Sequence, residues 1–114
     1  MAKSVIYHNP RCTTSRKTLD LLRDNGIEPE VVQYLKTPPS RAELTKMIKD
    51  AGIDVRAAVR KRESLYTELN LADASDDELL DAMAAHPILI ERPFVVTPKG
   101  TRLARPIDTV REIL

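Results

Sequence analysis

Cysteine is nearly absent from this chain: Cys12 is the only one in 114 residues, and only two histidines accompany it. One thiol excludes an intrachain disulfide and a Cys-x-x-Cys pair. With two histidines it is also too small a set of soft ligands for a structural zinc site. An excess of one charge is missing as well. Lys and Arg total 18 against 17 Asp and Glu, so no net basic field draws the chain to nucleic acid and no acidic tail extends from it. No run approaches the roughly 20 apolar residues of a membrane span. The N-terminal MAKSVIYHNP lacks the long apolar region of a signal peptide. These absences point to a cytoplasmic protein whose charge logic is local. What is present, 31% charged and 42% hydrophobic residues, is the balance of a soluble globular chain, and the length suits a single domain over 1–114.

The punctuation of the chain gives its order of elements. SVIYH at 4–8 is short and β-rich and meets the turn signal NPR at once. From Thr13, Leu19, Leu22 and Arg23 fall at helical spacing, and Asn25-Gly26 supplies a left-handed stop. EPEVVQYL then reads as a second strand, so the first third is a strand, helix, strand crossover with parallel strands. Two Ser-x-x-Glu capping boxes follow, Ser40 with Glu43 and Ser75 with Glu78, with short helical pieces expected over 53–70 between them. Gly52 closes the first of these helices and Pro87 the second. PILIERPFVVTPKGTRLARP reads as two β-rich runs folded about the PKG turn, and PIDTVREIL resumes a helical pattern. There is no internal repeat, linker or low-complexity tract.

This order predicts an α/β fold with a thioredoxin/glutaredoxin-like mixed sheet and a helical insertion over about 40–86. In that fold the proline that opens the third strand, Pro93 in ERPF, is cis and faces the active-site loop. Cys12 lies just after a strand at the mouth of a helix, where unpaired N–H groups and the helix dipole favour an anion. Such a site, with cations nearby, lowers a thiol pKa from about 8.5 to roughly 3.5–7.5. Arg11, Arg16 and His8 are near in sequence, and Thr13, Thr14 and Ser15 add hydroxyls beside backbone N–H groups able to cradle an oxyanion. A buried, inert Cys12 is the competing reading. A phosphatase-type Cys-x5-Arg loop is disfavoured, because Thr18 stands where the arginine is required.

The chain resembles the glutaredoxin-coupled arsenate reductase family. The resemblance is carried by IYHNPRCTTSRKTL, YLKTPPSRAEL, VRAAVRKRE, HPILIERPFVVTPKGTRLARP and the final EIL, in the same order and over nearly the whole chain. It implies an oxidoreductase of arsenic detoxification that reduces arsenate to arsenite. By the same resemblance Cys12 attacks arsenate to form an arsenic–sulfur adduct, while Arg60, Arg92 and Arg105 hold the oxyanion. His8 and Ser15 match positions that tune the thiolate, His8 by charge or orientation and Ser15 by a hydrogen bond to sulfur. Bidentate arginine contacts suit such an oxyanion on independent physical grounds. The reduction takes two electrons, and one cysteine cannot close an intramolecular disulfide, so external thiols must finish the cycle. The family scheme supplies glutathione as co-substrate and glutaredoxin as the thiol that removes the mixed disulfide, with no metal and no bound cofactor.

Members of that family often carry small residues on either side of the cysteine, whereas this chain has Arg11 and Thr13. A redox-related paralogue acting on another thiol or oxyanion is therefore the alternative within the fold. A second class is a non-catalytic regulator that contacts RNA polymerase and senses redox state through a Cys-x-x-Cys switch. Ser15 occupies the second switch position, which excludes that disulfide within one chain.

Overall fold

The structure, a computed structural model, describes residues 4–114. The chain divides into two compact units. One comprises the segment up to Thr37 together with Arg92–Leu114, and the other Pro38–Glu91.

The first unit is a four-stranded mixed sheet in the order β2-β1-β3-β4. β1 (Val5–His8) leads to helix α1 (Thr13–Asp24) and back to β2 (Glu30–Gln33), which pairs parallel with β1 in the register His8 to Gln33. β3 (Phe94–Thr97) runs antiparallel to β1, and β4 (Gly100–Leu103) antiparallel to β3. Strand alternation turns Ile6 and Val95 inward, where Leu22 of α1 meets them. Val110 and Ile113, from the closing 3-10 segment Ile107–Ile113, complete this core. The inward face of α1 is Ser15, Thr18 and Leu22, spaced by one and two helical turns. Gly26 then takes a left-handed φ of 77°, which a side chain would resist, and this ends the helix where Asn25-Gly26 predicts.

The crossover, the parallel β1–β2 pair, the hairpin and the cis Arg92–Pro93 peptide all match the thioredoxin-like expectation. A second cis peptide, Arg105–Pro106, was not expected. The long β run beginning at Pro87 is shorter than predicted. Pro87–Leu89 is a 3-10 turn and the strand begins only at Phe94. Pro87 has no N–H for a ladder and its fixed φ suits the start of a turn. Ile90 instead makes an isolated antiparallel bridge with Val59.

The second unit is helical: α2 (Arg41–Asp50), α3 (Ser64–Glu68) and α4 (Asp76–Ala85), joined by 3-10 turns at Val55–Ala58 and Leu71–Asp73. Both predicted capping boxes form, with the Ser40 and Ser75 hydroxyls accepting from the amides of Glu43 and Glu78 and each glutamate returning a bond. Leu44, Met47 and Ile48 of α2 and Leu79, Leu80 and Met83 of α4 are buried. Arg56 gathers the short pieces, donating to Tyr66 Oη and to the carbonyls of Leu71 and Ala74.

Candidate active site

Because β1 sends Ile6 into the core, His8 two residues later faces the same side, toward α1. Its Nδ1 lies 2.6 Å from Ser15 Oγ, and the same oxygen accepts the Asn9 amide at 3.1 Å. That arrangement leaves the hydroxyl proton for Nδ1 of a neutral ring. Burial, with the charges of Arg16 and Arg23, holds the His8 pKa below its ordinary 6.5. His8 is thus neutral at neutral pH, and of the two roles expected for it the geometry supports orientation rather than charge.

Asn9 organises the turn. Its Oδ1 accepts the Arg11 amide at 2.9 Å, and its carbonyl accepts the Cys12 amide at 3.0 Å. Arg16 closes the loop from the helix side, donating to the Pro10 carbonyl and to Thr13 Oγ1. The Ser15 hydroxyl is therefore already committed, and Thr13 Oγ1 accepts from Arg16 while keeping its own proton to donate beside the backbone N–H groups of this helix end. The expected bond between Ser15 and sulfur is likewise not the hydroxyl's, which is committed to Asn9 and His8. What Ser15 offers the sulfur is its amide.

Cys12 is the N-cap residue of α1, half-buried, with extended backbone and no closed side-chain cap bond. No acidic residue lies in the first turn of that helix. Burial pushes the thiol pKa up. The Ser15 amide, the adjacent Arg92 guanidinium and the charges of Arg92 and Arg105 outweigh it, and the net effect is a thiol more acidic than usual. Arg105 Nη2 stands 3.7 Å from Sγ, and its Nε donates to the Arg92 carbonyl at 2.9 Å. Arg92 is 8% exposed, and its Nη1 donates to Tyr34 Oη at 3.1 Å. Its Nε is buried without a hydrogen-bond partner.

Cys12, His8, Ser15, Arg92 and Arg105 are thus gathered in the sheet unit. Arg60 belongs to the helical unit, after the short pairing of 58–60 with 89–91. There its Nε donates to Glu63 at 3.1 Å and its Nη1 to Glu91 at 3.2 Å. Sequence reasoning left out Tyr34 and placed Asn9 only in the turn. Asn9 follows the strand within a turn signal, which hinted at its role. Tyr34 reaches Arg92 across 58 residues, and no local pattern announces that. Among the described residues, no group of three or more His, Cys, Asp or Glu is placed to hold a metal ion.

Comparison with known proteins gives this geometry a context. Residues 7–113 match the ArsC family. An arsenate reductase of Rhizobium meliloti is 61% identical, the alignment covering 96% of this chain and 79% of that one. An arsenate reductase of Escherichia coli is 57% identical over 100% of this chain and 82% of its own. The solved structure of an arsenate reductase from Vibrio cholerae superposes with a TM-score of 0.93 at 52% identity, with both chains fully covered. A match along nearly the whole sequence, shared by fold and by close relatives, has one meaning: the chain belongs to the ArsC family.

Proposed function

We propose that this protein is an arsenate reductase that draws its electrons from glutathione and a glutaredoxin. The observation that carries the reading is the acidified Cys12 thiol with Arg105 Nη2 at 3.7 Å and Arg92 beside it, an arrangement suited to a thiolate nucleophile and an oxyanion at one place. The names of the close relatives support the choice of arsenate.

In this mechanism Arg92 and Arg105 bind arsenate oxygens, and the buried Nε of Arg92 gives the site a donor in need of an acceptor. The Cys12 thiolate bonds to arsenic and an arsenate oxygen leaves as water. A glutathione thiolate then forms an S–S bond with the Cys12 sulfur while the S–As bond breaks. The electron pair of that bond stays on arsenic, which leaves as arsenite. The glutaredoxin thiolate attacks the glutathione sulfur and releases Cys12 as a thiolate. The two electrons come from two external thiols, so no bound cofactor is invoked. His8 and Ser15 act by fixing the loop and the Ser15 amide. Arg60 is assigned as the third substrate-binding arginine on the family resemblance of its motif. The proposed setting is the cytoplasm, where a reducing thiol pool keeps Cys12 competent.

The test is arsenite formation from arsenate with glutathione and glutaredoxin. Wild type should turn over and Cys12→Ser should not. Equal turnover by Cys12→Ser removes the nucleophile from the scheme. An inactive wild type, with active glutaredoxin present, moves the assignment to a paralogue acting on another oxyanion.

A further inference from the structure

Strand order puts β1 between β2 and β3. Arg92 and Arg105 come from the ends of β3 and β4, and the Arg92 guanidinium reaches Tyr34 just past β2. On the β2 side, at the same end of the sheet, there is an open groove of about 330 Å³, within the range of small-molecule sites. Its walls are the loop that leads directly into Cys12, with Asn9 and Arg11, and the end of β2, with Gln33, Leu35 and Lys36. Leu35 is 44% exposed and gives the groove an apolar surface. Arg11 and Lys36 are exposed cations, and neither side chain forms an ion pair or hydrogen bond among the described residues. Arg92 and Arg105 are the charges that lower the Cys12 pKa, and Arg11 is not among them.

We infer that this groove seats glutathione for its attack on the Cys12 adduct, with Arg11 and Lys36 engaging its two terminal carboxylates. The inference rests on the arsenate reductase reading. The chemistry fits the occupant: a short, flexible peptide with a carboxylate at each end, amides along its length and a thiol in the middle. Two cations flanking an apolar surface, with the Gln33 carboxamide beside them, complement that distribution. The placement also fits the reaction, because the incoming thiolate must reach the Cys12 sulfur. Arg11, the residue before Cys12, lines the groove, so a thiol seated there is held beside the loop that carries the sulfur it must attack. Arg11, an unusual neighbour for this cysteine, thereby serves the thiol rather than arsenate.

Two measurements test this. In the coupled assay, the doubly substituted Arg11→Ala, Lys36→Ala protein should show a KM for glutathione raised about tenfold, the effect of two exposed ion pairs. Its KM for arsenate and the alkylation pH profile of Cys12 should stay unchanged. Arg11→Lys should recover part of the loss, which a misfolded variant would not. An unchanged glutathione KM, or an arsenate KM that rises in parallel, overturns the groove. Independently of turnover, S-methylglutathione titrated into wild type should shift the amide resonances of Asn9, Arg11 and residues 33–36, and shift them less in the double variant. Shifts elsewhere, or none at millimolar probe, overturn the groove even if arsenate is reduced. An inactive wild type that still binds the probe at these residues leaves the groove standing and removes only the arsenate reading.

Discussion

Helix N-termini are finished in two different ways in this protein. In the helical unit, α2 and α4 are closed by full Ser-Glu boxes, and α4 carries Asp76, Asp77 and Glu78 in its first turn. The boxes hold the Glu43 and Glu78 carboxyls below the usual carboxylate range, through bonds from the Ser40 and Ser75 backbone and hydroxyls. In the sheet unit, α1 has no acidic residue in its first turn and no closed cap, and the residue in the capping position is Cys12. A helix whose first N–H groups are satisfied by its own side chains is structurally complete. A helix that presents them to a thiol keeps that end available for an anion. The difference shows where the fold has given local stability to chemistry.

The largest test of that contrast is Cys12→Ser. Serine is a strong N-cap and a poor nucleophile, so the substitution turns the open end into a closed one. Arsenate reduction should fall at least about a thousandfold, while stability rises by up to about 1 kcal/mol. The gain should depend on pH. The Cys12 pKa is lower in the folded state, so the unfolded chain holds more protons between the two values. The thiolate's stabilisation is complete above the unfolded value near 9.0 and is lost as pH falls through the depressed folded value. Thermal unfolding of the two proteins across pH should therefore show serine ahead at acid pH and the gap closing in alkali. A gap that widens in alkali would contradict a thiolate stabilised by the helix end.

Arg92→Ala is next in size. Activity should drop about 10²–10³-fold, the usual loss of one preorganised donor. The alkylation midpoint of Cys12 should move up toward the ordinary thiol value, because the guanidinium bond and charge are gone. Arg92→Lys should restore part of the midpoint and little of the rate, since an ammonium lacks the planar fork. If both variants alkylate as wild type does, the acidity of Cys12 has another source.

The smallest effects belong to the closed ends. Ser40→Ala and Ser75→Ala should each cost about 1 kcal/mol in denaturant unfolding and leave the Cys12 alkylation profile where it is. A shift of that profile by either would mean the two kinds of helix end are energetically linked.

How much of this could be read beforehand follows the range of the interactions. The capping boxes are written in four consecutive residues, and both form. The strand, turn, cysteine, helix order is equally local, and it puts Cys12 at the helix mouth. Cis Pro93 was legible through the fold, because its place before the third strand is topological. What local sequence did not announce is of another kind. PILI carries β-forming side chains, but Pro87 lacks the N–H a ladder needs and the chain turns there. Ser15 was matched to the sulfur, and the bond comes from its backbone amide while the hydroxyl goes to His8 and Asn9, a division of labour that residue type does not announce. Arg60 was identified by motif, but its two carboxylate partners, one of them 31 residues away, appear only in three dimensions.

One feature of the sheet unit has a practical side. Tyr34 is buried, with its hydroxyl on the Arg92 guanidinium, and burial raises the phenol pKa despite that neighbouring positive charge. The chain has no tryptophan and only three tyrosines, so nothing masks tyrosine emission. The site therefore carries its own optical probe. An anion drawn to Arg92 should change the emission of a ring one hydrogen bond away, and Tyr34→Phe should silence that signal, giving a label-free readout of oxyanion binding that needs neither turnover nor thiol.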